Sequence, residues 1–92
     1  MIDVKEAVDR AAAFAENVLG KERTAGLQLE EVEFGKYEGV RDAWQITLSM
    51  LRPNKFGPAL LGNEIRDYKV FTVSRDTGEV LSMKIRELAG VE

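Results

Sequence analysis

The sequence predicts a two-layer α+β domain, in which one N-terminal helix packs on a four-stranded antiparallel sheet in the order α-β-β-β-β. Three patterns carry this prediction: apolar residues at helical spacing over residues 3–19, apolar residues that alternate with polar ones in later segments, and a turn sequence between two C-terminal strands. The chain has 92 residues, is 45% hydrophobic and shows no internal repeat. We therefore expect a single domain over residues 1–92 with a core of its own.

The first element is a helix with one apolar stripe and marked ends. The stripe residues recur at spacings of three and four: Val4, Ala7, Val8, Ala11, Phe14, Ala15 and Val18. Asp3, followed three residues later by Glu6, has the spacing of a capping box, and Gly20 is a natural helix end. The alanines of residues 11–13 indicate a helix that lies close to a sheet, with a helix–helix interface as the alternative.

The next two elements form a predicted hairpin. The apolar residues of its first strand change parity between Leu29 and Val32. This change predicts a β-bulge near Glu30 and Glu31, and the turn is expected over residues 35–39. In the second strand four apolar residues alternate with polar ones: Trp44, Ile46, Leu48 and Met50. The tryptophan is expected to be a core residue, with a ligand-stacking platform as the alternative.

The last two strands are joined by a short turn that sets their register. If residues 76–78 form a three-residue loop with Gly78 in the left-handed conformation, Arg75 faces Glu79. Four large apolar residues then share the inner face as two cross-strand pairs: Phe71 with Met83, and Val73 with Leu81. A slip of one residue would put the members of each pair on opposite faces, so the turn and the apolar pattern predict the same register.

The outer face of this hairpin is the first candidate surface for a partner. It carries three basic residues and one aromatic residue: Arg66, Tyr68, Lys84 and Arg86. In the predicted register the tyrosine lies opposite the second arginine as a cation–π pair. Glu31 and Glu33 point to the same side of the sheet at the first strand. The acidic and basic edges are self-complementary, which predicts a homodimer that pairs acidic edge to basic edge, with ordinary solubilising surface charges as the alternative.

Residues 52–65 are expected to form a long loop between two strands, because both prolines of the chain fall there. Three of its residues are large and apolar, and they are further candidates for binding a partner: Phe56, Leu60 and Leu61. Two interpretations stay open. Loops of this length are often functional, whereas a small domain also needs apolar side chains to close the end of its core.

Composition narrows the classes of function. The chain has no cysteine and no histidine, which removes thiolate ligands, disulfides, the commonest zinc ligand and the usual neutral-pH base. Glu31 and Glu33 have no complementary ligand nearby in the sequence, so we predict no metal, no cofactor and no enzymatic activity. A net charge of -3 argues against nucleic acid as a partner. With neither a signal peptide nor a membrane-spanning apolar run, a complete chain is expected to be cytoplasmic.

Three stretches resemble the PepSY family and, more loosely, cystatin-like α/β rolls. They are AVDRAAAFAENVLG in the helix, AWQITLSM in the strand with the tryptophan, and YKVFTVSRDTGEVLSMKI near the end. The last stretch looks like the ending of PepSY domains, where a hydrophobic strand leads into an aspartate-rich turn with Thr-Gly-Glu-Val. The resemblance spans most of the chain. It implies a PepSY-like fold and an inhibitory or chaperoning module that acts beside another protein.

These observations lead to a hypothesis of a small, non-enzymatic domain for protein interaction or regulation, of inhibitor-like character. Its partner would be a protein, in addition to the predicted homodimer, and neither nucleic acid nor a membrane. The alternative is a protein that binds a small apolar ligand in a pocket between the helix, the sheet and the 52–65 loop.

Overall fold

The computed structural model of the chain describes residues 1–51 and 66–86. One helix and four strands follow in the predicted order: α1 (Val4–Leu19), β1 (Gln28–Tyr37), β2 (Arg41–Leu51), β3 (Arg66–Ser74) and β4 (Val80–Ile85). The strands form one antiparallel sheet in the order β1-β2-β3-β4, and α1 packs on one face of it. The predicted α+β class is therefore confirmed. The predicted loop 52–65, with Phe56, Leu60 and Leu61, lies outside the described residues.

The ends of α1 follow from local hydrogen bonds. Asp3 is the N-cap, and its Oδ1 accepts from the backbone N–H of Glu6 at 2.9 Å. The Glu6 carboxylate accepts from Arg10 Nη2 at 2.8 Å, so the side chain predicted to complete a capping box pairs along the helix instead. Gly20 ends the helix with a φ of 87°, and its N–H donates to the Glu16 carbonyl at 2.9 Å.

The helix meets the sheet through alanines. Ala7, Ala11 and Ala15 are fully buried, because they lie four residues apart on one side and their small side chains let the helix approach the strands closely. Val4 and Val18, predicted to belong to the packed stripe, are 40% and 55% exposed. They lie in the first and last turns of α1, so the buried part of the stripe is shorter than the sequence pattern predicts.

The core lies between α1 and the two central strands. Five large side chains of β2 and β3 are buried in it: Ile46, Leu48, Met50, Phe71 and Val73. Phe14 of the helix meets Phe71 edge to face, with ring centroids 6.3 Å apart. Trp44 is half-buried and packs against this core, as predicted, and its indole N–H donates to the Ile2 carbonyl at 3.4 Å.

The β1–β2 hairpin has the predicted bulge but a tighter turn. The register shifts between Leu29 and Glu31, which confirms the bulge. The prediction of a turn over residues 35–39 is wrong, because Gly35 pairs with Ala43 and the ladder continues to residue 37. Residues 38–40 connect the strands, and the first two of them, Glu38 and Gly39, have φ values of 55° and 75°. Two successive left-handed residues are typical of a type I′ turn, whose twist matches that of the strands and lets the ladder extend further.

The β3–β4 hairpin has one more loop residue than predicted. Its turn contains Gly78 in the predicted left-handed conformation, with a φ of 78°. The last pair before the turn is Ser74 with Glu79, whose backbones are joined by an N–H···O bond of 2.8 Å, so Arg75 belongs to the loop and does not face Glu79. The Gly78 N–H closes this loop by donating to the Ser74 carbonyl at 2.8 Å.

A compensating irregularity in β4 restores the register further along this hairpin. Val73 lies opposite Val80, so the predicted pairing of Val73 with Leu81 is wrong. The register shifts between Thr72 and Val73, and Phe71 lies opposite Met83 as predicted. The extra residue in the loop is thus balanced by an extra residue in β4, which keeps the large side chains on the inner face.

The assignment of faces predicts a difference in stability between two adjacent residues. Phe71→Ala should lower the free energy of unfolding by about 3–5 kcal/mol, because it removes a fully buried aromatic ring that meets Phe14. Thr72→Ala should cost only about 1 kcal/mol, because it loses one hydrogen bond to Gln45 Oε1 on the other face. Chemical denaturation of both variants measures the difference, and equal losses would contradict the assignment.

Candidate functional site

The outer face of the sheet, turned away from α1, brings the predicted group of basic and aromatic residues together. Tyr68 lies opposite Arg86, whose backbone N–H donates to the Tyr68 carbonyl at 2.9 Å. Lys84 lies opposite Val70, two pairs further along the ladder. Arg66 stands at the start of β3, opposite Leu51 of β2. The four residues therefore occupy one end of the outer face, as the predicted register requires.

Arg86 reaches back across the outer face. Its guanidinium forms an ion pair with Glu31 of β1 and donates to Thr47 Oγ1 of β2 at 3.2 Å. The predicted cation–π contact with Tyr68 is not the one observed. Within the described ranges, the cation–π contact is instead between Arg75 and Phe34, where the guanidinium lies 5.6 Å from the centroid of the ring. The pairing of Arg86 with Glu31 reduces the charge that the outer face offers to a second copy.

A second polar network surrounds Ser49, which is fully buried on the outer face. Its hydroxyl donates to the Glu30 carboxylate at 2.6 Å and accepts from Arg66 Nε at 2.8 Å. Gln28 donates to the same carboxylate at 2.6 Å, and Arg66 also donates to the Gly26 carbonyl. The hydrogen bond from Ser49, followed by that from Gln28, holds the pKa of Glu30 below its ordinary value, because both bonds stabilise the ionised form.

A shallow cleft of about 250 Å³ lies between these two networks. Its lining is polar and comes from β1, β2, β3 and the end of β4: Glu30, Glu31, Thr47, Tyr68 and Arg86. The three charged residues of this lining are all hydrogen-bonded within the chain. The cleft is therefore better explained as part of the polar networks that join the strands than as a site that holds charge for a ligand.

The inner face of β1 has a different character. Helix α1 packs mainly on β2, β3 and β4, so the apolar side chains of β1 are only partly covered. Leu29 is 49% exposed and Phe34 is 48% exposed, while Val32 between them is half-buried. Beside Leu29 an open groove of about 240 Å³ lies between α1 and β1. Its lining combines three apolar and two charged residues: Val4, Lys5, Val8, Asp9 and Leu29.

Phe34 is held in place although one side of its ring is exposed. The ring meets Trp44 edge to face, with centroids 4.9 Å apart, and the Arg75 guanidinium lies over it. Arg75 is itself held by Asp42, at 2.9 Å between Nη2 and Oδ2. The hydrogen bond from Lys36 to Asp42, helped by the charges of Lys36 and Arg75, lowers the pKa of that carboxyl. Trp44 and Arg75 thus hold the half-exposed Phe34 ring in one position.

Sequence reasoning missed this exposed surface. The outward positions predicted for Glu31 and Glu33 placed Val32 and Phe34 on the inner face, but the pattern did not show that α1 leaves this strand partly exposed. One signal was available, because a single helix is about 10–12 Å wide whereas four strands at about 4.8 Å spacing span about 14 Å. One helix on four strands must therefore leave an edge strand partly uncovered.

Two further features bear on the class of site. Within residues 1–51 and 66–86, the acidic side chains form no group of three or more that could hold a metal ion. Over the same ranges, no helix has the length and apolar character needed to cross a bilayer.

The Ser49 network predicts a pH-dependent effect of Ser49→Ala. The folded-state pKa of Glu30 lies below its ordinary value of 4.5, so the bond contributes stability above that pH, and this contribution is lost as the pH falls through the folded-state pKa. The stability difference between wild type and Ser49→Ala should therefore be larger at about pH 7 than at about pH 3. Denaturant unfolding at both pH values measures it.

Ser74→Ala is the matched control for this experiment. Ser74 is equally buried, but its hydroxyl accepts from the Thr77 N–H at 3.3 Å and touches no carboxylate. Its effect on stability should be the same at both pH values. A Ser49→Ala effect that is also independent of pH would show that this hydrogen bond does not stabilise the ionised form of Glu30.

The two surfaces are the basis for assigning a function, because no protein-family model, no curated protein and no solved structure matches the chain. The PepSY-like assignment stays a prediction from the stretches that carry it.

Proposed function

We propose that this chain is a non-enzymatic protein-interaction domain and that it binds its partner at the β1 edge. The observation that carries the proposal is the half-exposure of Leu29 and Phe34 on the inner face of an edge strand. Both side chains point to the same side as the core, and Leu29 lines the groove along α1. A partner that covers them would extend the apolar core of this domain.

The energetic argument is one of burial. Full burial of a leucine or phenylalanine side chain contributes about 1.5–3 kcal/mol, so covering the exposed halves of two such residues contributes about 1 kcal/mol each. Val4 and Val8 of the groove add further apolar surface next to Leu29. Anchors of this kind, aromatic or aliphatic and held rigidly by neighbours, dominate the affinity of many protein interfaces. The contact of Phe34 with Trp44 gives it that rigidity.

The charged outer face supports a partner less well. Arg86 and Glu31 pair with each other, so a partner would have to break that ion pair before it could use either charge. Lys84 is exposed there, but a single surface lysine contributes little to affinity.

A small-ligand function is also less well supported by this geometry. Pockets for small molecules usually enclose about 300–1,000 Å³ and bury most of the ligand. The groove between α1 and β1 measures about 240 Å³ and is open to solvent. Its one apolar wall and its open side suit a partner that lies along it better than a ligand that must be enclosed. The resemblance to PepSY domains implies the same class of function, since such domains act beside other proteins.

The proposal predicts that removing the apolar anchors of β1 abolishes binding without unfolding the domain. The affinity-tagged wild-type chain should recover its partner from source-cell extract. The tagged double variant, Leu29→Gln with Phe34→Gln, should not. The loss should exceed roughly tenfold, because both anchors are removed together. Quantitative mass spectrometry of the bound fraction measures this, and circular dichroism checks the fold.

A double variant with the same chemistry elsewhere is the control. Val18→Gln with Ile85→Gln replaces two exposed apolar residues that lie away from the groove, at the end of α1 and on β4. It should retain the partner. If both double variants bind as the wild type does, or if both lose the partner equally, the β1 edge is not the binding surface.

A further inference from the structure

We infer that the partner presents an extended segment that pairs with β1 as a fifth strand, with large apolar residues alternating with basic ones. This inference rests on the proposed function and specifies the partner of the same surface. Three observations carry it: the ladder edge of β1 with which no other described strand pairs, the apolar side chains on its inner face, and the acidic side chains on its outer face.

The first observation is the edge itself. In the sheet of the described strands β1 is outermost and pairs with β2 on one side only. An edge strand directs the N–H and C=O groups of alternate residues away from its neighbour, where another strand can bind them. After the bulge, the pairing of β1 with β2 runs without a break from Glu31 to Tyr37. These seven residues provide a regular ladder long enough for a typical strand.

The second observation fixes which residues the segment presents to the inner face. Opposed residues of paired strands point to the same face, so every second residue of an added strand lies beside Val32 or Phe34. Helix α1 leaves this part of the inner face uncovered, and the groove lined by Val4 and Val8 continues it toward Leu29. Large apolar side chains are the ones that this surface would bury.

The third observation fixes the residues between them. On the outer face of β1, Glu31 and Glu33 flank the position of Val32, and Glu33 lies opposite the neutral Gln45 of β2. Glu33 has no ion pair in residues 1–51 and 66–86, whereas Glu31 pairs with Arg86. A lysine or arginine of an added strand, placed beside Glu33 on the outer face, would give that carboxylate an opposite charge.

Charge also decides between a foreign segment and a second copy of β1. The strand contains Glu30, Glu31, Glu33 and Lys36, so its formal charge is -2. Two such strands paired side by side would bring like charges together across the new ladder, which destabilises a sheet. A basic segment brings the opposite charge to the same place. The carboxylates of β1 therefore favour pairing with a basic strand over pairing with the β1 strand of a second copy.

The test uses capped synthetic peptides of about eight residues, a typical strand length. The first alternates lysine with valine and phenylalanine, the second contains the same residues in a scrambled order, and the third has glutamate in place of each lysine. Fluorescence anisotropy measures the Kd, and amide chemical-shift changes locate the peptide on the intact chain. We expect the alternating basic peptide to bind more tightly than the other two and to shift the amides of β1.

Charge reversal provides the sharper arm of the test. Glu33→Lys should weaken the basic peptide about tenfold and strengthen the acidic one, because the sign of the charge beside the added strand is inverted. The matched control is Glu16→Lys, which makes the same change at an exposed position of α1 and should leave both Kd values unchanged. Both residues are exposed, so both variants should keep the fold.

Three outcomes would overturn the inference. They are equal binding of the alternating and scrambled peptides, shifts confined to residues away from β1, and a wild-type chain that self-associates through β1 in sedimentation. If the peptides do not bind as expected, while the Leu29→Gln, Phe34→Gln variant no longer recovers the partner from extract, the inference is wrong and the proposed function stands. If that double variant also retains the partner, the proposed function falls.

Discussion

The geometry of this domain depends on the close contact between an alanine row and two central strands. Ala7, Ala11 and Ala15 bring α1 against the sheet where Phe71 and Ile46 fill the core. A helix seated this closely covers β2 and β3 well and reaches toward β4. It cannot also cover β1, because a helix is narrower than four strands. The uncovered apolar side chains of β1 are therefore a consequence of the same contact that forms the core.

The two faces of the sheet are stabilised by different interactions. The inner face is stabilised by apolar burial, whereas the outer face joins distant parts of the chain through polar side chains. Arg86, after β4, reaches Glu31 on β1, and Arg66 at the start of β3 reaches Ser49 on β2. Buried polar groups are tolerated only when they are hydrogen-bonded, and Ser49 meets that condition through Glu30 and Arg66. The charges of the outer face thus act largely within the chain.

Local patterns were enough to predict the order of elements, the bulge after Leu29, the conformation of Gly78 and the pairing of Phe71 with Met83. These features depend on residue spacing and on backbone preferences that a short stretch of sequence contains. The turn lengths were not predictable in the same way, because Glu38 takes a left-handed conformation that glutamate seldom adopts. The half-exposure of β1 was missed because it depends on where α1 settles across the sheet, which no single segment encodes.

The strand order β1-β2-β3-β4 also has a kinetic consequence. Every strand pairs with its neighbour in the chain, so no strand pairing spans more than the 31 residues from Ala43 to Ser74. Such a sheet folds faster than one whose strands pair across the whole chain. The β1–β2 hairpin closes over the three residues 38–40, which costs little entropy before the ladder forms. Joining β2 to β3 requires closing the 14 residues between Leu51 and Arg66. Since closure entropy rises only with the logarithm of length, a change in the length of that connection should have little effect on the stability of the sheet.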